Sequence, residues 1–181
     1  MDSIAGSEKN KSSKSCIIKI TLRNTPGTSG LRDKRFVAEH RGGPLKKEQH
    51  FMLMQWAIDC SEHVMFLFGE IQDDRLKNAL IIAKAWKLGD APVGDAMKAS
   101  LAAHAVARDS SNPASIAVAR SVGQAVATAH IADHSLGAAW YALKAVNCAG
   151  KSVDDERGWQ DEQLPSGIRD LVLTAREIKQ I

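Results

Sequence analysis

Residues 120–141 read Arg-Ser-Val-Gly-Gln-Ala-Val-Ala-Thr-Ala-His-Ile-Ala-Asp-His-Ser-Leu-Gly-Ala-Ala-Trp-Tyr. Most of these residues are small, and small side chains allow two helices to approach closely. Steps of three and four would place one set of them on a single helical face, namely Arg120, Gly123, Ala127, His130 and His134. An arginine and two histidines among small residues predict either a buried polar network or a binding site on that face.

The same stretch also predicts a corner between two helices. One helix running from Pro113 to Ala149 would be about 55 Å long, which is too long for a compact domain of this size. We therefore predict a break near His130–Ser135, with Asp133 as the N-cap of the following helix. The two histidines would then lie at the corner.

The rest of the chain shows the apolar periodicity of helices and only one weak strand. The fold class predicted is all-α, a single-domain bundle of six or seven helices. In the third helix the apolar line is Met97, Leu101 and Ala105, with His104 and Arg108 on the same face. The predicted helices run from Leu45 to about Phe68, from Asp73 or Asp74 to Gly89, from Pro92 to Arg108, from Pro113 to the break, from the break to Gly150, from Ser152 to Trp159 and from Ser166 to Ile181.

The first 32 residues differ in composition from the remainder. The beginning is rich in Ser, Lys and Asn, so we predict that residues 1–32 form a disordered or weakly ordered extension and that residues 33–181 form the helical domain. Residues 16–22 are apolar enough for a short strand, but no partner strand is evident. Because the composition changes at Leu31, a prokaryotic start at that residue is an alternative to a real N-terminal arm.

Charge and cysteine content narrow the class of protein. The net charge of +3 is mild, and part of the basic excess lies in the first 35 residues, so no nucleic-acid surface is predicted. Cys16, Cys60 and Cys148 lack the spacing of metal ligands, which favours a reduced, cytoplasmic setting. We expect Cys60 and Cys148 to be small core residues. No signal peptide and no membrane-spanning helix is evident, so no membrane partner is predicted.

Histidine spacing suggests one candidate metal site. His130 and His134 are four residues apart, as two ligands from one helix would be, and Asp133 or His104 could complete the set. The first histidine lacks the following glutamate of the zinc-peptidase motif, and the expected helix break would spoil the geometry. We therefore favour a structural hydrogen-bonded pair and predict no metal and no other cofactor.

Two further groups of charged residues are candidates for a partner site or a structural network. Glu39, His40 and Arg41 precede Gly-Gly-Pro in a loop that either faces a partner or docks on the bundle and holds Arg41 in a salt bridge. Arg108 and Arg120, on inward faces, could clamp an anion, but pairing with Asp133, Glu62 or Glu39 is the favoured alternative. No catalytic triad or phosphate-binding loop can be argued from spacing, so no catalytic residue is assigned.

Four stretches carry a family resemblance: Phe36-Val-Ala-Glu-His-Arg-Gly-Gly-Pro-Leu45, Asp74-Arg-Leu-Lys77, Ala102-Ala-His-Ala-Val-Ala-Arg108, and Ala119 to His130 followed by His134 and Gly137-Ala-Ala. Together they resemble the Imm-5-like family of small all-helical immunity proteins, from about Asp33 to Leu173. The resemblance implies a cytoplasmic, non-catalytic protein that binds and neutralises a protein toxin, and it leaves a homo-oligomer open. The alternative is a metal- or small-ligand-binding protein, or an enzyme, that uses His104, Arg120, His130, Asp133 and His134.

Overall fold

The computed structural model describes residues 33–69 and 73–181. The predicted extension, the strand proposed for residues 16–22 and the alternative start at Leu31 lie outside these residues. The described part of the chain contains short 3-10 helices at Lys34–Phe36, Glu39–Arg41 and Met65–Phe68, and no strand. Its α-helices are α1 (Lys47–His63), α2 (Asp74–Leu88), α3 (Val93–Asp109), α4 (Pro113–Ala127), α5 (His134–Cys148), α6 (Val153–Glu162) and α7 (Ser166–Lys179). The all-α prediction is confirmed.

The central element of the bundle is α4, which packs against α1, α2, α3 and α5. Its sequence explains this position, because eleven of its fifteen residues are buried and all of these are Ala, Val, Ser or Gly. Small side chains let four neighbouring helices approach the same axis. This packing confirms the prediction that the small residues of this stretch allow helices to approach closely.

Most helix ends follow from local chemistry. The Asn112 side chain accepts hydrogen bonds from the backbone N–H groups of Ala114 and Ser115, and Pro113 occupies the first turn of α4. Asp73 caps α2 in the same way, and Ser152 caps α6 through the N–H of Asp155. Gly89 ends α2 with a φ of 87°, a backbone conformation that glycine adopts without strain.

The break between α4 and α5 is also confirmed. The α-helix α4 ends at Ala127 and α5 begins at His134, with a turn between them. Asp133 is the N-cap residue of α5, as predicted, but its backbone is in the helical region and its side chain makes no capping hydrogen bond. The predicted corner places His130 within the turn and His134 at the first position of α5.

Four details of the sequence prediction need correction. The first helix ends at His63, and a separate 3-10 helix covers Met65–Phe68. The sixth helix continues beyond Trp159 to Glu162. Cys60 is a fully buried free thiol, as predicted, but Cys148 is only half-buried. Met97 and Leu101 are exposed rather than in the core, because α3 turns its alanine-rich face toward the bundle.

Candidate functional site

The helices α3 and α4 approach each other closely at His104 and Gly123. A β-carbon built on Gly123 would lie 2.5 Å from Cε1 and 2.6 Å from Nδ1 of His104. The Ser100 hydroxyl donates a hydrogen bond of 2.9 Å to the carbonyl oxygen of Gly123 in the same contact. Glycine at this position therefore creates the space that the imidazole occupies.

His104 lies in a positively charged environment. Burial, and then the charges of Arg120, His134 and Arg108, lower the pKa of His104 to about 4. Its Nδ1 atom is buried and has no hydrogen-bond partner among the described residues. We call His104, Arg108, Arg120 and His134 the basic cluster. At neutral pH its histidine at position 104 is uncharged, and its two arginines supply the positive charge.

The arginines of the basic cluster are not paired as predicted. Arg108 is exposed and Arg120 half-buried, so the inward orientation predicted for Arg108 is wrong. Neither arginine forms a salt bridge within the described part of the chain. Two of the three predicted acids are engaged elsewhere: Glu62 pairs with Lys84 at 2.6 Å, and Glu39 accepts a hydrogen bond from the backbone of Lys47.

The helix corner places the second histidine of the predicted stripe in a defined hydrogen bond. Nδ1–H of His134 donates to Oε1 of Gln124, at 2.7 Å. A β-carbon on Gly137 would lie 2.8 Å from the same Gln124 oxygen, so Gly137 makes room for this amide. The rings of His130 and His134 lie 5.1 Å apart, tilted by 46°. The predicted stripe is thus a half-buried polar edge.

The metal hypothesis receives no support from the geometry. Residues 33–69 and 73–181 contain no group of three His, Cys, Asp or Glu side chains placed to hold a metal ion. Nδ1 of His134 is engaged by Gln124, and the break separates His130 from His134, so the two residues do not share a helix. Asp133 and His104 do not complete a set with them.

The loop around Glu39–Arg41 is docked on the bundle. Glu39 N–H donates to the Leu45 carbonyl at 2.9 Å, and Leu45 N–H donates to the Val37 carbonyl at 3.0 Å. Phe36 and Leu45 anchor the loop by their burial in the core. His40 and Arg41 are exposed, and no salt bridge to Arg41 exists among the described residues, so the predicted docking is found without the predicted pairing.

A buried polar network joins α1, α6 and α7, and the sequence analysis missed it. Arg176 hydrogen-bonds to Asp161 and to Gln160, and its guanidinium lies 5.1 Å from the centre of the Trp56 ring. Gln160 also donates to Glu156, whose other oxygen accepts a 2.8 Å bond from Nδ1–H of His63. The spacing offered a signal, because Arg176 follows the inward Ile168 and Val172 at steps of four.

This network has the properties of a structural element. Glu156, Gln160 and Arg176 are each at least nine-tenths buried, and their polar atoms are turned toward one another. The Trp56 indole N–H also donates to the Gln160 carbonyl at 2.9 Å. Because its partners satisfy one another, the network holds α6 and α7 against α1.

Comparison with known proteins gives one match. The family model described as "Imm-5 like putative immunity protein" matches residues 43–167, which is more than half of the chain. No match was found among curated proteins or among solved structures. Every helix in the described ranges is too short or too polar to cross a bilayer. With α1 to α6 and the basic cluster inside the matched region, the chain belongs to the Imm-5-like immunity protein family.

Proposed function

We propose that this protein binds and neutralises a protein toxin in the cytoplasm, without catalysing a reaction. Membership of an immunity protein family supports a protective role, and such a role requires a complementary surface rather than a reactive centre. The observation that carries the proposal is a row of side chains along α3, exposed except at the half-buried His104, which we call the α3 stripe: Val93, Met97, Leu101, His104 and Arg108.

The first half of the α3 stripe is apolar. Val93, Met97 and Leu101 are 38%, 46% and 67% exposed, and their spacing of four residues places them on one face of the helix. Large apolar side chains that remain exposed in a row are typical of a surface that a partner covers. On the opposite face of α3, Ala96, Ala99 and Ala103 make the contact with the bundle.

The second half of the α3 stripe is polar and carries the charge of Arg108. His104 and Arg108 follow Leu101 at steps of three and four, and Arg120 adds a second positive charge from α4. Because Arg108 and Arg120 form no salt bridge with described residues, they remain available for an acidic group of a partner. Opposite charges across an interface accelerate encounter and set its register. The toxin surface expected here is therefore apolar at one end and acidic at the other.

Co-expression with the candidate toxin encoded by a neighbouring gene tests this proposal. Leu101→Asp should abolish protection of the cell and weaken toxin binding by about 30-fold or more, as loss of an interface anchor does. Ile178→Asp is the matched control, because Ile178 on α7 is 69% exposed and should tolerate the same change. Full protection by Leu101→Asp would contradict the assignment of the α3 stripe.

The charged half can be tested separately in the same assay. Arg108→Glu should slow association with the toxin and reduce its salt dependence, while Lys144→Glu on α5 should not. Molar mass in solution provides a second readout. A homodimer that becomes monomeric on Leu101→Asp, with no change in toxin binding, would assign the α3 stripe to self-association instead.

A further inference from the structure

A cleft of about 380 Å³ lies where the docked loop meets α1, the end of α2 and the link to α3, and it borders the α3 stripe at Val93. Its volume falls in the range of pockets that bind small molecules. None of the basic-cluster residues lines it. The lining consists mainly of apolar and aromatic side chains, among them Leu45, Phe51, Trp86, Ala91 and Val93, with Glu39, His40, Lys47 and His50 as polar members.

Three rings form an ordered wall in this cleft. Trp86 lies 5.1 Å from His50, tilted by 57°, and meets Phe51 edge-to-face at 5.5 Å. His50 is only 6% exposed, and its Nε2–H donates to the Thr128 carbonyl at 2.6 Å, which fixes the ring orientation. Burial lowers the pKa of His50, so this ring is neutral near pH 7. Fixed aromatic faces suit a planar ring that stacks or packs edge-on.

Polar groups gather at the mouth of the cleft. The Lys47 ammonium lies 5.4 Å from the centre of the Phe51 ring, and His40 and Arg41 lie close enough to disfavour a charge on His50. Glu39 is the acidic lining residue, but its Oε1 accepts a hydrogen bond from the backbone N–H of Lys47 at 3.2 Å. The mouth therefore combines an aromatic wall with the Lys47 ammonium, which forms no salt bridge with described residues.

From these contacts we propose that the cleft binds a small planar aromatic carboxylate, with the ring against Trp86 and Phe51 and the carboxylate toward Lys47. The inference does not depend on toxin binding, because it rests on the cleft alone. The sequence of the cleft also explains why it stays open: Gly89, Ala91 and Pro92 present little side-chain volume at the α2–α3 link.

Calorimetric titration of the full chain with 2-naphthoate, and with the neutral 2-naphthylmethanol, tests the proposal. The carboxylate should bind with a dissociation constant below about 1 mM and more tightly than the alcohol. Trp86→Ala should weaken the binding of 2-naphthoate by about tenfold or more. Since that variant removes a half-buried ring, Ala91→Phe provides a second test by filling the cleft without removing any packing.

The role of the charge is tested by Lys47→Gln. This change should weaken the binding of 2-naphthoate by about three- to tenfold and leave the binding of 2-naphthylmethanol unchanged. Lys144→Gln is the matched control, because its ammonium lies 5.5 Å from the Trp140 ring outside the cleft. No saturable binding by the wild-type chain, or binding that survives both Trp86→Ala and Ala91→Phe, would overturn the site. If Lys47→Gln weakened the binding of both compounds equally, the proposed contact between the carboxylate and Lys47 would be overturned.

Discussion

The imidazole of His104 occupies the space beside Gly123 that a β-carbon would need. A β-carbon built on Gly123 would lie only 2.5 Å from Cε1 of His104. The helices α3 and α4 can pack closely here because residue 123 has no side chain. This glycine also sets the depth of the basic cluster, because His104 can enter the α3–α4 contact only if residue 123 is glycine. The same contact explains the burial that lowers the pKa of His104.

Gly123→Ala should reduce the free energy of unfolding by about 1–3 kcal/mol, because the added methyl group collides with the imidazole. Gly158→Ala on α6 is the control, since nothing lies within 4 Å of its added carbon. That control should be neutral or stabilising by about 0.5–1 kcal/mol, as alanine favours the helix. Denaturant unfolding measures both. Addition of His104→Ala to Gly123→Ala should recover part of the loss, and strict additivity would argue against direct contact.

Stability should fall as the pH drops from 7.5 to 5, in part through His104. Its pKa in the folded protein is about 4, below the ordinary histidine value of 6.5, so the unfolded chain takes up the proton first. The contribution is full above about pH 6.5 and is lost as the pH approaches 4. After allowance for solvent screening, we expect His104→Gln to lessen the pH-dependent loss by about 1 kcal/mol at pH 5. If the free energy of unfolding of the wild-type chain and of His104→Gln changed identically with pH, the lowered pKa of His104 would be contradicted.

Arg176→Met should destabilise the protein by about 2–4 kcal/mol, because Asp161 and Gln160 lose a buried partner. Arg75→Met is the control: Arg75 bonds to Asp73 and Asp109, but at an exposed site. Thermal unfolding should show a large drop for Arg176→Met and little change for Arg75→Met. Equal drops would mean that burial does not distinguish the two arginines.

His134→Ala should reduce the free energy of unfolding by about 1–2 kcal/mol, because the half-buried amide oxygen of Gln124 loses its 2.7 Å hydrogen bond. His134→Asn retains a donor and should recover part of that loss. His40→Ala on the exposed loop is the comparison, with an expected change under about 0.5 kcal/mol. An unchanged melting temperature for His134→Ala would show that the corner does not depend on this bond.

Local sequence signals determined much of this fold. Asn112-Pro113, Asp73 and Ser152 mark helix starts because each side chain satisfies backbone N–H groups of its own first turn. The chain between Pro113 and Ala149 required a corner because a continuous helix would exceed the size of the domain. The small residues of α4 predicted close packing, and the family resemblance of the sequence is confirmed by the matched region.

The tertiary structure alone decided which faces are covered. Periodicity places Met97 and Leu101 on one face of α3, but it cannot tell whether the bundle packs on that face or on the alanines opposite. The alanine face wins because small side chains allow the short approach at which His104 meets Gly123, and the larger residues are left outside. The same limit applies to two arginines. The exposure of Arg108 and the burial of Arg176 both depend on neighbours distant in the chain. Helix formation is a local event, whereas burial is set by the packing of residues far apart in sequence.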